Sequence, residues 1–188
     1  MPDVIELRLP EPCLVVVIGA AGSGKSTFAA CHFAPDEVLS SDAMRERIGG
    51  DPADQRATGA AFAALHRALR RRLAARRTTV VDATSVSARE RQPLLRAAAE
   101  SGVPSIAIVL DLPAAVVLAR NAGRPGRPVP EDAVRRHLDR LTASLQGPGL
   151  AAEGFARVVV LRDPSEVEAL VVVREAATPP ADAPSRRP

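Results

Sequence analysis

One stretch, Gly19-Ala20-Ala21-Gly22-Ser23-Gly24-Lys25-Ser26-Thr27, constrains this chain more than any other. It fits G-x-x-x-x-G-K-[ST], a phosphate-binding P-loop, and it follows the apolar run Leu14-Val15-Val16-Val17-Ile18, which reads as a buried strand. The chemistry needs each part. Glycines let the backbone curl so that successive N–H groups converge on phosphate oxygens. A helix opening near Gly24 points its positive end at the same anion. Lys25 can reach β- and γ-phosphates, and the Ser26 hydroxyl offers one position to Mg²⁺. The helical stretch from Ser26 to Phe33 supplies the required context. Composition sharpens the point, because Lys25 is the only lysine in the chain. Arginine is used at every other basic position, and a slender ammonium is kept where a point charge must enter a phosphate cradle.

Taken in order, the chain alternates strands and helices. Val4 to Leu9 alternates apolar and polar residues and predicts a short edge strand or lead-in, stopped by Pro10 and Pro12. Strands are expected at 13–18, 37–40, 78–82, 103–110 and 157–161. Helices are expected at about 24–33, 43–48, 54–77, 87–101, 113–121, 131–146 and 164–174. Phe62, Leu65, Leu69 and Leu73 recur at helical spacing and define one apolar stripe. Ser87 and Glu90 form a capping-box pattern. Five strand–helix alternations predict an α/β fold, a parallel five-stranded sheet flanked by helices, with ligands at the carboxyl ends of its strands. At 188 residues the chain reads as one domain over 1–175, followed by a Pro-rich tail at 176–188 expected to be disordered.

The totals exclude little but shape the rest. Net charge is +3, which permits a polyanionic partner without requiring one. Four Phe and no Trp or Tyr leave no rich stacking platform for bases. Cys13 and Cys31 read as reduced small hydrophobes. Without a basic leader at Met1-Pro2-Asp3, and with no apolar run long enough to span a bilayer, the expectation is a cytoplasmic protein without a membrane partner.

Three further constellations carry chemistry. Ser40-Ser41-Asp42-Ala43-Met44-Arg45 follows the 37–40 strand, expected beside the P-loop strand. There Asp42 either caps its helix or accepts the proton of an acceptor hydroxyl facing the γ-phosphate. Arg45, one turn on, is either solvated or in contact with a phosphate. Val80-Val81-Asp82-Ala83-Thr84 is a loose Walker B-like pattern. It sets Asp82 near Mg²⁺ or its water shell, or leaves it as a structural acceptor. Arg120-Asn121-Ala122-Gly123-Arg124-Pro125-Gly126-Arg127-Pro128 cannot be regular. It reads as a linker or as a lid carrying Arg120 and Arg124 onto the phosphates. His137 and the arginines between Arg67 and Arg77 read first as solvated or structural, with contact to an acceptor strand as the second reading for the arginines.

Together, GAAGSGKSTFA, VLSSDAMR, DQRAT, TVVDATSV and RNAGRPGR with a following RRH resemble, over about residues 4–172, the kinase domain of bacterial polynucleotide kinase–phosphatases, which are AAA_33-type P-loop kinases. The resemblance implies ATP and Mg²⁺ as cofactors and the 5′-hydroxyl end of DNA or RNA as acceptor. It implies that the loop from Gly19 to Thr27 binds nucleotide and that Lys25 and Ser26 hold phosphates and Mg²⁺. It further implies that Asp42 orients and deprotonates the 5′-hydroxyl and that Arg45 binds the scissile or acceptor phosphate. Arg120 and Arg124 would serve as lid arginines, and Gln55 matches a polar position near the phosphates. Ser85 departs from the family, which often has Asn there. The full repair enzyme also carries phosphatase and ligase modules, so such activities would come from separate partners. A small-molecule hydroxyl kinase and an ATP-binding regulatory NTPase are the other readings of the same residues.

Overall fold

The apolar run before the P-loop becomes the centre of the sheet, because both of its faces are covered. The structure is a computed structural model and describes residues 4–49, 58–125, 128–146 and 148–176. In chain order the elements begin with β1 (Ile5–Glu11), β2 (Leu14–Gly19), α1 (Lys25–His32), β3 (Val38–Ser40), α2 (Ser41–Gly49) and α3 (Thr58–Ala74). They continue with β4 (Thr79–Asp82), α4 (Ala88–Glu100), β5 (Ser105–Leu110), α5 (Ala114–Ala122) and α6 (Glu131–Leu145). A 3₁₀ turn at Leu150–Glu153, β6 (Arg157–Leu161), α7 (Pro164–Ala169) and β7 (Leu170–Ala176) complete the described chain.

Five strands form one parallel sheet in the order β3-β4-β2-β5-β6. Along β2, Leu14, Val16 and Ile18 face a core built with Leu65, Leu69 and Leu73 of α3 and Leu94 and Leu95 of α4. Val15 and Val17 face the other way, toward Phe28 of α1, Phe33, Ile106 and Ile108. Period-two alternation along a continuously apolar strand thus feeds two cores. The parallel register brings Ser40, Asp82 and Val17 level with one another, so the three carboxyl ends open on one side of the sheet.

Several expectations are corrected. The strand beside the P-loop strand is β4, while β3 lies one place further out at the edge. Asp82 therefore neighbours the P-loop directly, and Asp42 reaches the site from the start of α2. Ser40, not Asp42, takes the capping position, its hydroxyl accepting the Ala43 N–H at 3.4 Å. The helix expected over 164–174 stops at Ala169, and Leu170–Ala176 pairs in parallel with β1, from Ile5 opposite Leu170 to Glu11 opposite Ala176. The β-branched run Val171-Val172-Val173 favours strand over helix there. Cys13 is buried, which pushes its thiol up to about 11, but Cys31 is exposed on α1. Thr58 is the first described residue of the long helix, and the tail from 177 lies outside the described residues.

A buried ion pair ties the helices under the site. Arg91 on α4 is fully buried and bonds Glu153 through Nε at 2.8 Å and Nη2 at 2.5 Å. It also donates to the Ser85 carbonyl at 2.8 Å and to Ser144 Oγ at 3.2 Å. Every donor of such a group needs a partner in a dry interior. Here those partners pin the loop after β4, where Ser85 holds a left-handed φ of 47°.

Candidate functional site

Two glycines set the P-loop turn. Gly22 and Gly24 take φ of 88° and 94°, where a side chain is strained. At Gly22 there is no room either, since a Cβ would fall 2.6 Å from the Val117 carbonyl oxygen and 2.9 Å from Asn121 Cβ. The loop is thereby pressed onto α5. Ala20 is fully buried against Leu112, Val117 and Val134, with Ala21 packed beside it. A Cβ on Gly19 would fall 2.5 Å from Ser23 Oγ and 3.1 Å from the Leu110 carbonyl oxygen. Helix α1 then opens with no acidic residue in its first turn and no side-chain cap at Gly24. Its free N–H groups and positive end are left for an anion.

Lys25 lies inside this cradle. Its Nζ donates to the Ala20 carbonyl at 2.8 Å, and burial lowers its pKa to about 8, with Asp82 and Asp42 opposing that fall and Arg124 adding to it. The Ser26 hydroxyl donates to Asp82 Oδ2 at 2.7 Å, and Asp82 is itself buried. Ser23 is buried, and its Oγ has no hydrogen-bond partner among the described residues. Thr27 is exposed on the first turn of α1. An orphan hydroxyl, a curled backbone, an uncapped helix and a dry ammonium are what a phosphate chain would satisfy.

Across the opening stands Asp42. Its Oδ1 is paired with Arg45 Nη2, and the Ser41 hydroxyl donates to the same oxygen at 3.4 Å. Its Oδ2 lies 3.6 Å from Arg124 Nη2, on the segment that joins α5 to α6. Arg45 is largely buried, at 19% exposure, whereas Asp42 and Arg124 are nearly half exposed. Arg120 approaches the P-loop, its Nη1 3.6 Å from where a Cβ on Gly24 would stand. The structure thus brings Lys25, Ser26, Asp42, Arg45, Asp82, Arg120 and Arg124 to one end of the sheet. Gln55 lies outside the described residues.

Two residues join this group that the sequence reading left without a role. Asn121 is buried, its amide donating to the Val129 carbonyl at 2.8 Å and accepting the Val129 N–H at 3.2 Å. This two-point clamp closes the base of the arginine-bearing loop and touches Gly22 as well. The signal available was an Asn beside Arg120, eight residues before the Val-Pro that ends the irregular segment. His137 on α6 has a buried Nδ1 with no hydrogen-bond partner among the described residues. Its pKa is lowered first by burial and then by Lys25, which places the ring within electrostatic reach of the cradle.

A parallel sheet with a P-loop after its central strand, and arginines at the end of α5 and just beyond it, fits the P-loop kinase-like class, a fold of nucleotide-binding phosphotransferases. Within it, the chain belongs to the AAA_33 family of AAA domains, whose pattern matches residues 14–148. The chain is similar in structure to a chain of the Pnkp1/Rnl/Hen1 RNA repair complex, with a TM-score of 0.62 and 25% identity over 72% of this chain and 45% of that one. It therefore spans less than half the length of that relative. It is also similar to Chaetomium thermophilum Kti12 in complex with ADP-AlF3, with a TM-score of 0.57 and 19% identity, covering 82% of this chain and 93% of that one. A sugar kinase from Janibacter sp. HTCC2649 matches with a TM-score of 0.51 and 23% identity, covering 80% of this chain and 85% of that one. No curated protein sequence matches the chain. Among the described residues no helix is long and apolar enough to cross a membrane.

Proposed function

We propose that residues 1–175 form a kinase domain that transfers the γ-phosphate of ATP to the 5′-hydroxyl end of a polynucleotide. The observation that carries this reading is the position of Asp42, a half-exposed carboxylate held between Arg45 and Arg124 opposite the Lys25 cradle. Lys25 and the backbone from Gly19 to Thr27 bind the phosphates of the donor. Ser26 and Asp82, with their oxygens 2.7 Å apart, are the residues that would hold a Mg²⁺ ion through one hydroxyl and one carboxylate, with phosphate oxygens and waters as its other ligands. When bound, the ion supplies charge neutralisation at the β- and γ-phosphates. Asp42 accepts the acceptor hydroxyl's proton and holds its oxygen in line. Arg45 binds the acceptor's phosphate, and Arg120 and Arg124 stabilise the charge that develops on the transferred group.

The likeness to a chain of an RNA repair complex supports a nucleic-acid acceptor and partner enzymes such as a phosphatase or a ligase. A second reading, a small-molecule hydroxyl kinase, is favoured by the near full-length match to a sugar kinase. The deciding experiment is transfer of labelled γ-phosphate from ATP–Mg²⁺ to a 5′-hydroxyl oligonucleotide, beside a panel of small hydroxyl acceptors, with Lys25→Ala and Asp42→Asn as controls. Label on the oligonucleotide, lost in both variants, is the expected result. Label on a small acceptor alone selects the second reading.

A further inference from the structure

We propose that the outer face of α3, formed by Arg67, Arg70 and Arg71, is a track for the phosphate backbone of a single-stranded polynucleotide acceptor. The proposal rests on the kinase reading above and names where the body of its acceptor runs.

Helix α3 has one face with an evident structural purpose. Leu65, Leu69 and Leu73 are buried in the core against the sheet and α4. The opposite face is exposed but carries charge of one sign only. The 17 residues from Thr58 to Ala74 include no Asp or Glu. Arg67, Arg70 and Arg71 are exposed, and their i, i+3 and i+4 spacing puts like charges beside one another, an arrangement that weakens a helix. Among the described residues none of the three has a hydrogen bond or ion pair. The other exposed arginines without a hydrogen bond or ion pair among the described residues, Arg47, Arg89, Arg96, Arg120 and Arg140, are not clustered three to a face of one helix, and several surface arginines are paired. On α6, Arg135 is bonded to Glu131 and Arg136 to Asp132, each one turn away. Arg77 is paired with Asp36 just beyond the end of α3. On the outer face of α3 the repulsion among three neighbouring arginines meets no Asp or Glu of the helix, and the side chain used is the planar donor fork that suits phosphate.

The direction of α3 fits a strand leaving the site. β4 runs toward Asp82 and the P-loop, and α3, which leads into β4 through a short turn, runs the opposite way. Its Thr58 end thus lies on the site's side of the sheet. Arg67 to Arg71 lie about 14–20 Å further along the helix axis. An acceptor of one or two nucleotides with its 5′ end at Asp42 is too short to touch them. A strand of ten or more lays its phosphates along all three.

The test is anisotropy of a 3′-labelled 20-nucleotide single strand bound to the full chain, over a range of salt. It uses the triple variants Arg67→Gln/Arg70→Gln/Arg71→Gln and Arg67→Lys/Arg70→Lys/Arg71→Lys. For three phosphate contacts, the slope of log affinity against log salt should become shallower by about 2 in the Gln variant and stay near wild type in the Lys variant. Affinity near 50 mM salt should fall roughly tenfold or more with Gln. In the transfer assay, the advantage of a 20-nucleotide over a 2-nucleotide acceptor in kcat/KM should collapse with it. An unchanged slope and length advantage in the Gln variant would overturn the track and leave the kinase reading standing. Polyglutamate competing as well as the strand would also overturn it, by making the face a general polyanion surface. Strand binding that depends on these arginines, with no label on any oligonucleotide, would keep the track and end the 5′-kinase reading.

Discussion

Lys25 and Asp82 are buried at the sheet end and, with Ser26, have bonds made to the protein's own atoms, whereas Asp42 and Arg124 are nearly half exposed and meet at the surface. The first region is fixed by shape: Gly22 is jammed against α5, and Ala20 is sealed under α6. The second is fixed by charge, one carboxylate between two guanidiniums, and such contacts at half-exposed positions are individually weak. A cradle built by packing serves any nucleotide triphosphate in the same way. A cluster built by exchangeable ion pairs can hand its arginines to incoming phosphates. The contrast teaches that donor binding and acceptor activation should fail separately.

The largest separation is expected at Arg120, whose guanidinium lies beside Gly24. Arg120→Ala should slow transfer in single turnover by about 10³-fold, within the range for arginines that neutralise a transferring phosphoryl group. A loss below about tenfold would remove Arg120 from the transfer step. Next comes Asp42→Asn, which keeps the shape and one acceptor oxygen but gives up the base. Turnover should drop by about 10²–10⁴-fold while the Kd for ATP stays within a few-fold. If ATP affinity collapsed with turnover, Asp42 would belong to the donor side and the contrast would fall.

How much of this could be read from residues alone follows the same division. The P-loop was legible because its chemistry is local: nine consecutive residues and the strand before them set both conformation and partners. The five strands were legible because runs such as Leu14–Ile18 and Ser105–Leu110 are buried on both faces. Strand order was not, and β4 took the place beside the P-loop that was assigned to β3. Nothing in the composition of two short apolar strands ranks their neighbours. The 170–176 strand was missed because its partner, β1, lies at the other end of the chain. At the site, the motifs set Ser26 and Asp82 near one ion or left Asp82 a structural acceptor, and the structure adds the 2.7 Å hydrogen bond between them. The role of Asn121 did not follow from the motifs, since its two hydrogen bonds close a loop whose geometry no short-range pattern encodes.

A smaller effect is expected from proton linkage at Lys25. In the free protein its pKa is about 8, lowered chiefly by burial. Phosphates favour the ammonium, so the nucleotide-bound pKa lies higher. Below about pH 8 the lysine is charged in both states and affinity should be flat. Above it, each pH unit should weaken nucleotide binding by up to tenfold, until the pH reaches the bound-state pKa. Calorimetry in buffers of different ionisation enthalpy should show proton uptake on binding near pH 8.5, absent in Lys25→Met. Uptake that persists in that variant would assign the proton to another group.

The smallest effect, and the one that bears most directly on the contrast, is at Asn121. The residue touches no reacting atom in the proposed mechanism; it holds Val129 and leans on Gly22, joining the packed region to the charged one. Asn121→Ala removes both bonds to Val129 and should cost the closed loop about 1 kcal/mol, roughly a fivefold loss of the arrangement that presents Arg124. If the clamp acts through that loop, kcat should fall by about that factor while KM for ATP moves less, and hydrogen exchange should rise at Val129. A lowered Tm with kcat unchanged would make Asn121 a packing residue only. The packed and charged regions would then not be joined through the Asn121 clamp.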